Sequence, residues 1–179
     1  MRTIVVYSSR TGNTKKVGEA IAAALPEGTP AIPVQQVPAD LPDYACVFLG
    51  FWVDRGQADK DAADLLPKLR NKHVALFATL GADPHSPHAA ESLMKAAELL
   101  PEGKKPAGQF ICQGAVDPKV IEMMYKMFPK GHVHGQSAER DALHAEAAKH
   151  PDEADLTAAA AFAKKTMADI SSRNATAFF

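Results

Sequence analysis

Tryptophan occurs once in this chain and cysteine twice, among 179 residues. Two cysteines are too few for a disulfide-stapled scaffold, and a chain of this length can bury roughly 70 % of the surface its unfolded form exposes. Neither a cross-link nor a metal is needed to fold it. Cys46 and Cys112 both fall inside apolar, strand-like runs, where a free thiol behaves as a small buried hydrophobe. Charge of one sign is lacking too: 20 Lys plus Arg meet 21 Asp plus Glu, for a net charge of -1. That balance offers no surface for nucleic acid or an anionic membrane. No run approaches the ~18 apolar residues of a membrane span, and the opening MRTIVVYSS has neither an apolar h-region nor a cleavage site. The expected compartment is therefore the cytoplasm, and the glycosylation triplet Asn174-Ala175-Thr176 carries no weight without a secretory signal.

Missing as well are GxxxxGK[ST], which would hold a triphosphate and its magnesium, and GxGxxG, which would hold a dinucleotide pyrophosphate. A monophosphate suits what is present. Thr3 to Tyr7 is a short β-branched run without polar alternation, as expected of a strand buried on both faces. A helix is expected from Thr14 to Leu25, where Val17, Ala20, Ile21 and Ala24 recur at helical spacing before Pro26 and Gly28. Between the two lies Ser9-Arg10-Thr11-Gly12-Asn13-Thr14. It provides hydroxyls, a glycine that lets the backbone approach a ligand, and a helix start whose unpaired amides and positive dipole end favour a phosphate. The bland alternative is that these residues only cap a helix after a strand.

Further along, Ala31 to Val37 is a weak strand punctuated by prolines, which suits a sheet edge. Ala45 to Phe51 reads as a buried strand, Ala58 to Leu69 as an amphipathic stretch, Val74 to Leu80 as a strand, Pro87 to Leu100 as a helix and Gly108 to Ala115 as a strand. A last helix is expected from Asp152 to Ile170. Strands alternating with helices predict an α/β fold with a parallel sheet covered on both faces. Residues 117–150 interrupt the alternation and read as an insertion, between last strand and last helix, within a single domain spanning 1–179.

The phosphate loop is where the chain resembles the flavodoxin family, whose fingerprint [ST]-x-T-G-x-T matches Ser9 to Thr14 at every specified position. The resemblance implies a three-layer, doubly wound sandwich with a five-stranded parallel sheet in the order 2-1-3-4-5. It also implies flavin mononucleotide (FMN) as cofactor, with Ser9, Thr11, Gly12, Asn13 and Thr14 around its phosphate. Arg10, at a variable position, either touches the phosphate or points to solvent. In that family the loops after the third and fourth strands clamp the isoalloxazine ring. Here these would supply Phe51, Trp52 and Val53, then Thr79, Leu80, Gly81 and Asp83. Trp52 either stacks on the ring, lowering its potential, or plugs the end of the sheet.

Two departures from the family stand out. The fourth-strand loop has no Tyr to cover the outer ring face; only Leu80, Asp83 and His85 are available, and a solvated His85 is expected. The near-neutral charge also removes the acidic steering with which carrier flavodoxins meet basic partners.

In the insertion, Val120, Ile121, Met124, Met127 and Phe128 share a helical face, with Met123 beside them. Such stripes are usually core, with a Met-lined binding surface as the minority reading. His132, His134, His144 and His150 are expected on loop and helix surfaces, without the Cys or carboxylate partners of a metal site. In layout the chain is also similar to flavodoxin-like protoporphyrinogen dehydrogenases.

The leading expectation is an electron-transfer protein exchanging electrons through FMN with a redox partner protein, a reductase or electron donor, with no protein catalytic residue. The alternative is a flavin-dependent oxidoreductase acting on a quinone or tetrapyrrole-like substrate. A receiver-like domain is disfavoured because the first strand ends in Tyr7-Ser8-Ser9 rather than the acidic pair that binds magnesium.

Overall fold

In the computed structural model, which describes residues 1–176, Thr3–Tyr7 forms β1 with all five residues buried. The sheet also contains β2 (Ala31–Pro33), β3 (Cys46–Asp54), the two-residue β4 (Gln57–Ala58), β5 (His73–Leu80) and β6 (Gln109–Gln113). The strand order is β2-β1-β3-β5-β6 with every neighbour parallel. This is the expected order 2-1-3-4-5 once β4, which folds back antiparallel on β3, is set aside.

Because successive side chains of a strand point to opposite faces, the apolar runs feed two cores. Val5, Tyr7, Cys46, Phe48, Ala75 and Phe77 face α1 (Asn13–Ala24) and α6 (Glu153–Thr176), meeting Val17, Ile21, Ala159 and Ala163. Ile4, Val6, Val47, Leu49, Phe51 and Leu76 face α2 (Lys60–Leu65) and α3 (Pro87–Glu98), meeting Ala62, Leu66 and Ala96. Both cysteines are free and buried, and burial pushes each thiol up to about 12, so neither is a nucleophile at neutral pH.

The last helix runs on past Ile170 to Thr176, and three further boundaries differ from expectation. The proline-rich β2 stops at Pro33, which cannot donate to a ladder, and Val34–Gln36 turns into a 3-10 helix. The amphipathic stretch splits at Pro67 into α2 and a 3-10 turn, Leu66–Lys68. And β3 runs on to Asp54, because Arg55 and Gly56, both at positive φ (51° and 79°), close a two-residue hairpin onto β4. Such turns match the right-handed twist of the strands they join.

Between β6 and α6 the chain forms α4 (Pro118–Met127) and α5 (Ala138–Ala147). Here the expected core stripe is corrected. No residue of α4 is buried, and Met123 and Met127 are 52% and 65% exposed. Both faces of the sheet are already covered, so α4 is left without a core to complete and turns its apolar side to the cleft described below.

Candidate functional site

The chain leaves β1 for β2 on one side and returns to β3 on the other, so the loop after β1 emerges where the strand order reverses. Ligands of open parallel sheets collect there. Gly12 adopts φ 95° just ahead of α1, and a Cβ there would meet no atom of the described residues within 4 Å but would be strained by the left-handed backbone. Ser9 Oγ accepts the amides of Gly12 (3.1 Å) and Lys15 (3.2 Å), folding the loop onto itself. Asn13 Nδ2 donates to Thr11 Oγ1 at 3.2 Å and to the Ala115 carbonyl at 2.9 Å, tying the loop to the end of β6. The buried hydroxyls of Thr14 and Thr79, 2.9 Å apart, tie it to the end of β5. The amides of Thr11, Asn13 and Thr14 find no acceptor among the described residues and remain open to an anion.

Across the cleft stands Trp52, half-buried on the extended end of β3. Its backbone is gripped at both ends by Asp59, whose N–H donates to the Trp52 carbonyl (3.1 Å) and whose carboxylate accepts the Trp52 N–H (3.3 Å). The same carboxylate accepts Ser8 Oγ at 2.6 Å and caps α2 through the amides of Asp61 and Ala62. Burial pushes the Asp59 carboxyl up, and these donors oppose the shift. Sequence reasoning missed Asp59. Its signal was that of an N-cap, an Asp opening the helical stretch KDAADL. The Arg10 guanidinium lies over the Trp52 ring, 5.6 Å from its centroid. Arg10 is thus exposed but directed at the indole rather than outward to water.

One cleft of about 850 Å³ gathers most of the expected residues: Ser9, Arg10, Thr11, Asn13 and Thr14, then Trp52 and Val53, then Thr79, Leu80 and Gly81. Gly12 shapes the loop without lining the cleft. Phe51 and Asp83 are not brought to it. Phe51 is fully buried in the α2–α3 core, since alternation sends it to the face opposite Trp52. Asp83 is exposed in a turn, where its carboxylate accepts the His85 amide at 2.8 Å and its carbonyl accepts Ser86 Oγ. The histidine of that region which reaches the cleft is His88, near Gly56 of the hairpin, while His85 is exposed. The loop after β6, Gly114 to Asp117, lines the cleft as well. It was legible only from topology, because β6 ends at the same edge of the sheet as β1, β3 and β5.

The far wall comes from α4, α5 and the segment between them, through Met124, Met127, Phe128, Arg140, Leu143 and His144. His132 and His134 are exposed as expected, with His132 stacked on Phe128 at 4.6 Å. His144 and His150 depart from the surface placement. Both ring nitrogens of His144 are buried without a partner among the described residues, and burial lowers its pKa. His150 Nδ1 lies 2.5 Å from Asp155 Oδ2. Its neighbours Asp152 and Asp155 come close enough to group with it around a cation, but each carboxylate also accepts the other residue's backbone amide at the start of α6.

Residues 4–164 match the family described as Flavodoxin domain. A flavodoxin-like domain-containing protein, BilS, of Clostridioides difficile strain CD3 is 34% identical over 174 residues, covering 93% of this chain and 97% of that protein. Among solved structures, oxidised flavodoxin 1 of Bacillus cereus superposes with a TM-score of 0.53 at 15% identity, over 93% of this chain and 97% of its own. A flavoprotein of Lactobacillus acidophilus NCFM, solved in complex with FMN, superposes with a TM-score of 0.50 at 17% identity, over 62% of this chain and 92% of its own. An anion-ready loop at the β1/β3 switch point, an indole facing it, and a match that runs through the sheet and into the first half of α6 agree: the chain belongs to the flavodoxin domain family.

Proposed function

We propose that this chain binds FMN in the cleft between the Ser9–Thr14 loop and Trp52, and exchanges electrons through it with a redox partner protein, a reductase or an electron donor. The observation that carries the reading is the loop itself. Three open amides and the hydroxyls of Ser9, Thr11 and Thr14 meet at a helix start, shaped by a left-handed Gly12, in one cleft that also contains an indole face. The donor set fits a monophosphate with an aromatic ring beside it, and the cleft is of a size that encloses a single small-molecule cofactor. The Lactobacillus flavoprotein that shares the fold was solved with FMN.

On this reading Ser9, Thr11, Asn13 and Thr14 hold the phosphate. Trp52 and Val53 bound one side of the ring, with Thr79, Leu80 and Gly81 at its edge. Phe51 and Asp83 act only through the backbone and turn they stabilise. Flavin supplies the redox chemistry when bound, so no acid, base or nucleophile is needed from the chain. Residues 1–179 act as one domain in which 117–150 is an insertion, in the cytoplasm, where Cys46 and Cys112 stay reduced. No helix among the described residues is long and apolar enough to cross a membrane.

A second reading is favoured by one observation, the apolar continuation of the cleft onto α4 and α5. A flavin-dependent oxidoreductase acting on a quinone or tetrapyrrole-like substrate would use that wall. Steady-state assays of FMN-loaded protein separate the two. Turnover with NAD(P)H and a quinone in the absence of any partner supports the oxidoreductase, and flavin reduction that occurs only with a partner reductase supports the carrier. Protein that stays colourless after incubation with FMN and removal of free flavin contradicts both.

A further inference from the structure

An amphipathic helix is normally stabilised by burying its apolar face, yet α4 buries none of its residues. Val120, Met124 and Met127 line the cleft instead, and Leu143 of α5 joins them. Beneath this surface, packing is incomplete: the Nδ1 and Nε2 atoms of His144 are both buried with no hydrogen-bond partner among the described residues. Orphaned polar atoms of this kind are rare in folded proteins and call for an explanation. The wall also contains one uncompensated charge. Arg140 is half-buried in the cleft, donates from Nε to the Val133 carbonyl at 2.7 Å, and lies 3.3 Å from His134 Nδ1. Among the described residues it has no carboxylate within ion-pair distance.

We propose that the inner wall formed by α4 and α5 is a binding site for a hydrophobic organic anion, a carboxylate on an extended apolar body, with the anionic group on Arg140 and the body against Val120, Met124, Met127 and Leu143. A guanidinium fork matches a carboxylate in shape as well as charge. Unbranched methionines adapt to ligands of irregular outline. Arg140 sits inside a concave cleft rather than on a convex face, which suits a ligand that enters over a partner that covers. The cleft is continuous from the Ser9–Thr14 loop to Arg140, so the ligand lies beside the proposed FMN. Only that adjacency rests on the flavin reading.

The test uses two fluorescent probes of similar apolar body, anilinonaphthalene sulfonate, an anion, and neutral N-phenylnaphthylamine, titrated into the full chain after incubation with FMN. Arg140→Gln is expected to weaken the anionic probe about tenfold, the scale of a charge-assisted pair, while the neutral probe changes by less than about twofold. Met124→Gln is expected to weaken both. Equal affinity of the anionic probe for wild type and Arg140→Gln, an equal loss for both probes, or no binding of the anionic probe overturns the proposal. Protein that retains no FMN yet binds the anion through Arg140 contradicts the flavin reading and supports this site.

Discussion

The hydroxyls of Thr14 and Thr79 meet 2.9 Å apart beneath the cleft, one on the first turn of α1 and the other near the end of β5. Both residues are buried. Together with the bond from Asn13 to the Ala115 carbonyl, this contact fixes the height of the Ser9–Thr14 loop against the sheet and couples it to the end of β5. Thr79→Val removes one partner and strands the Thr14 hydroxyl. A buried group left unpaired costs about 1–3 kcal/mol. Urea unfolding is expected to show a loss in that range, with weaker FMN retention. The double change Thr14→Val with Thr79→Val is expected to cost less than the sum of the single ones, because no polar atom is then left alone.

Asp59 clamps Trp52 from both sides of its peptide unit and caps α2. Asp59→Ala removes the cap, worth about 1 kcal/mol, and frees the indole to move. With a single tryptophan in the chain, intrinsic fluorescence reports this directly: a red-shifted emission maximum and a lower thermal midpoint are expected. An unchanged emission spectrum contradicts the clamp.

His150 ties the insertion to the phosphate loop, because its carbonyl accepts the Ala115 amide at 3.0 Å while the Ala115 carbonyl accepts Asn13. The bond to Asp155, and then the nearby charges of Asp155, Glu146 and Asp152, raise its pKa above the usual 6.5. A histidine whose folded pKa is raised stabilises the protein fully below its unfolded value, and that contribution disappears as the pH climbs through the folded value. The His150 contribution is therefore expected to fall from mildly acidic pH to nothing above its folded pKa, against the opposite trend from His144 and His73, whose pKa values burial lowers. His150→Gln is expected to remove this falling component, so that stability rises more, or falls less, with pH than in wild type in urea titrations at stepped pH. A slope unaltered by the substitution contradicts the assignment.

What could be read in the sequence depended on how local each feature is. Ser9 to Thr14 is a contiguous chemical pattern between a strand and a helix, so both its residues and its place were visible. Trp52 was visible because a buried strand precedes it. Phe51, one residue earlier, was grouped with it although strand alternation assigns it to the opposite face. Asp59 was invisible as a site residue because its grip on Trp52 exists only once Arg55 and Gly56 turn the chain back. The methionine face of α4 was visible as a face, but periodicity does not say what covers it. Coverage is decided by which sides of the sheet the other helices have already taken.

Stoichiometric titration of the protein with FMN, followed by visible absorption and flavin fluorescence, tests the central claim most directly when wild type is compared with Thr11→Ala and Gly12→Val. Thr11→Ala removes a hydroxyl that lines the cleft and that the proposal places on the phosphate. Gly12→Val has open space for its Cβ but forces a left-handed backbone at a cost of about 1–3 kcal/mol. The expected result is one FMN bound per wild-type chain, with a perturbed flavin spectrum. Both variants are expected to bind more weakly, by about tenfold or more for the loss of a phosphate hydrogen bond, while circular dichroism shows them folded. Wild-type protein that takes up no FMN, or variants that retain it as tightly as wild type, would contradict the assignment of the Ser9–Thr14 loop as the cofactor's anchor.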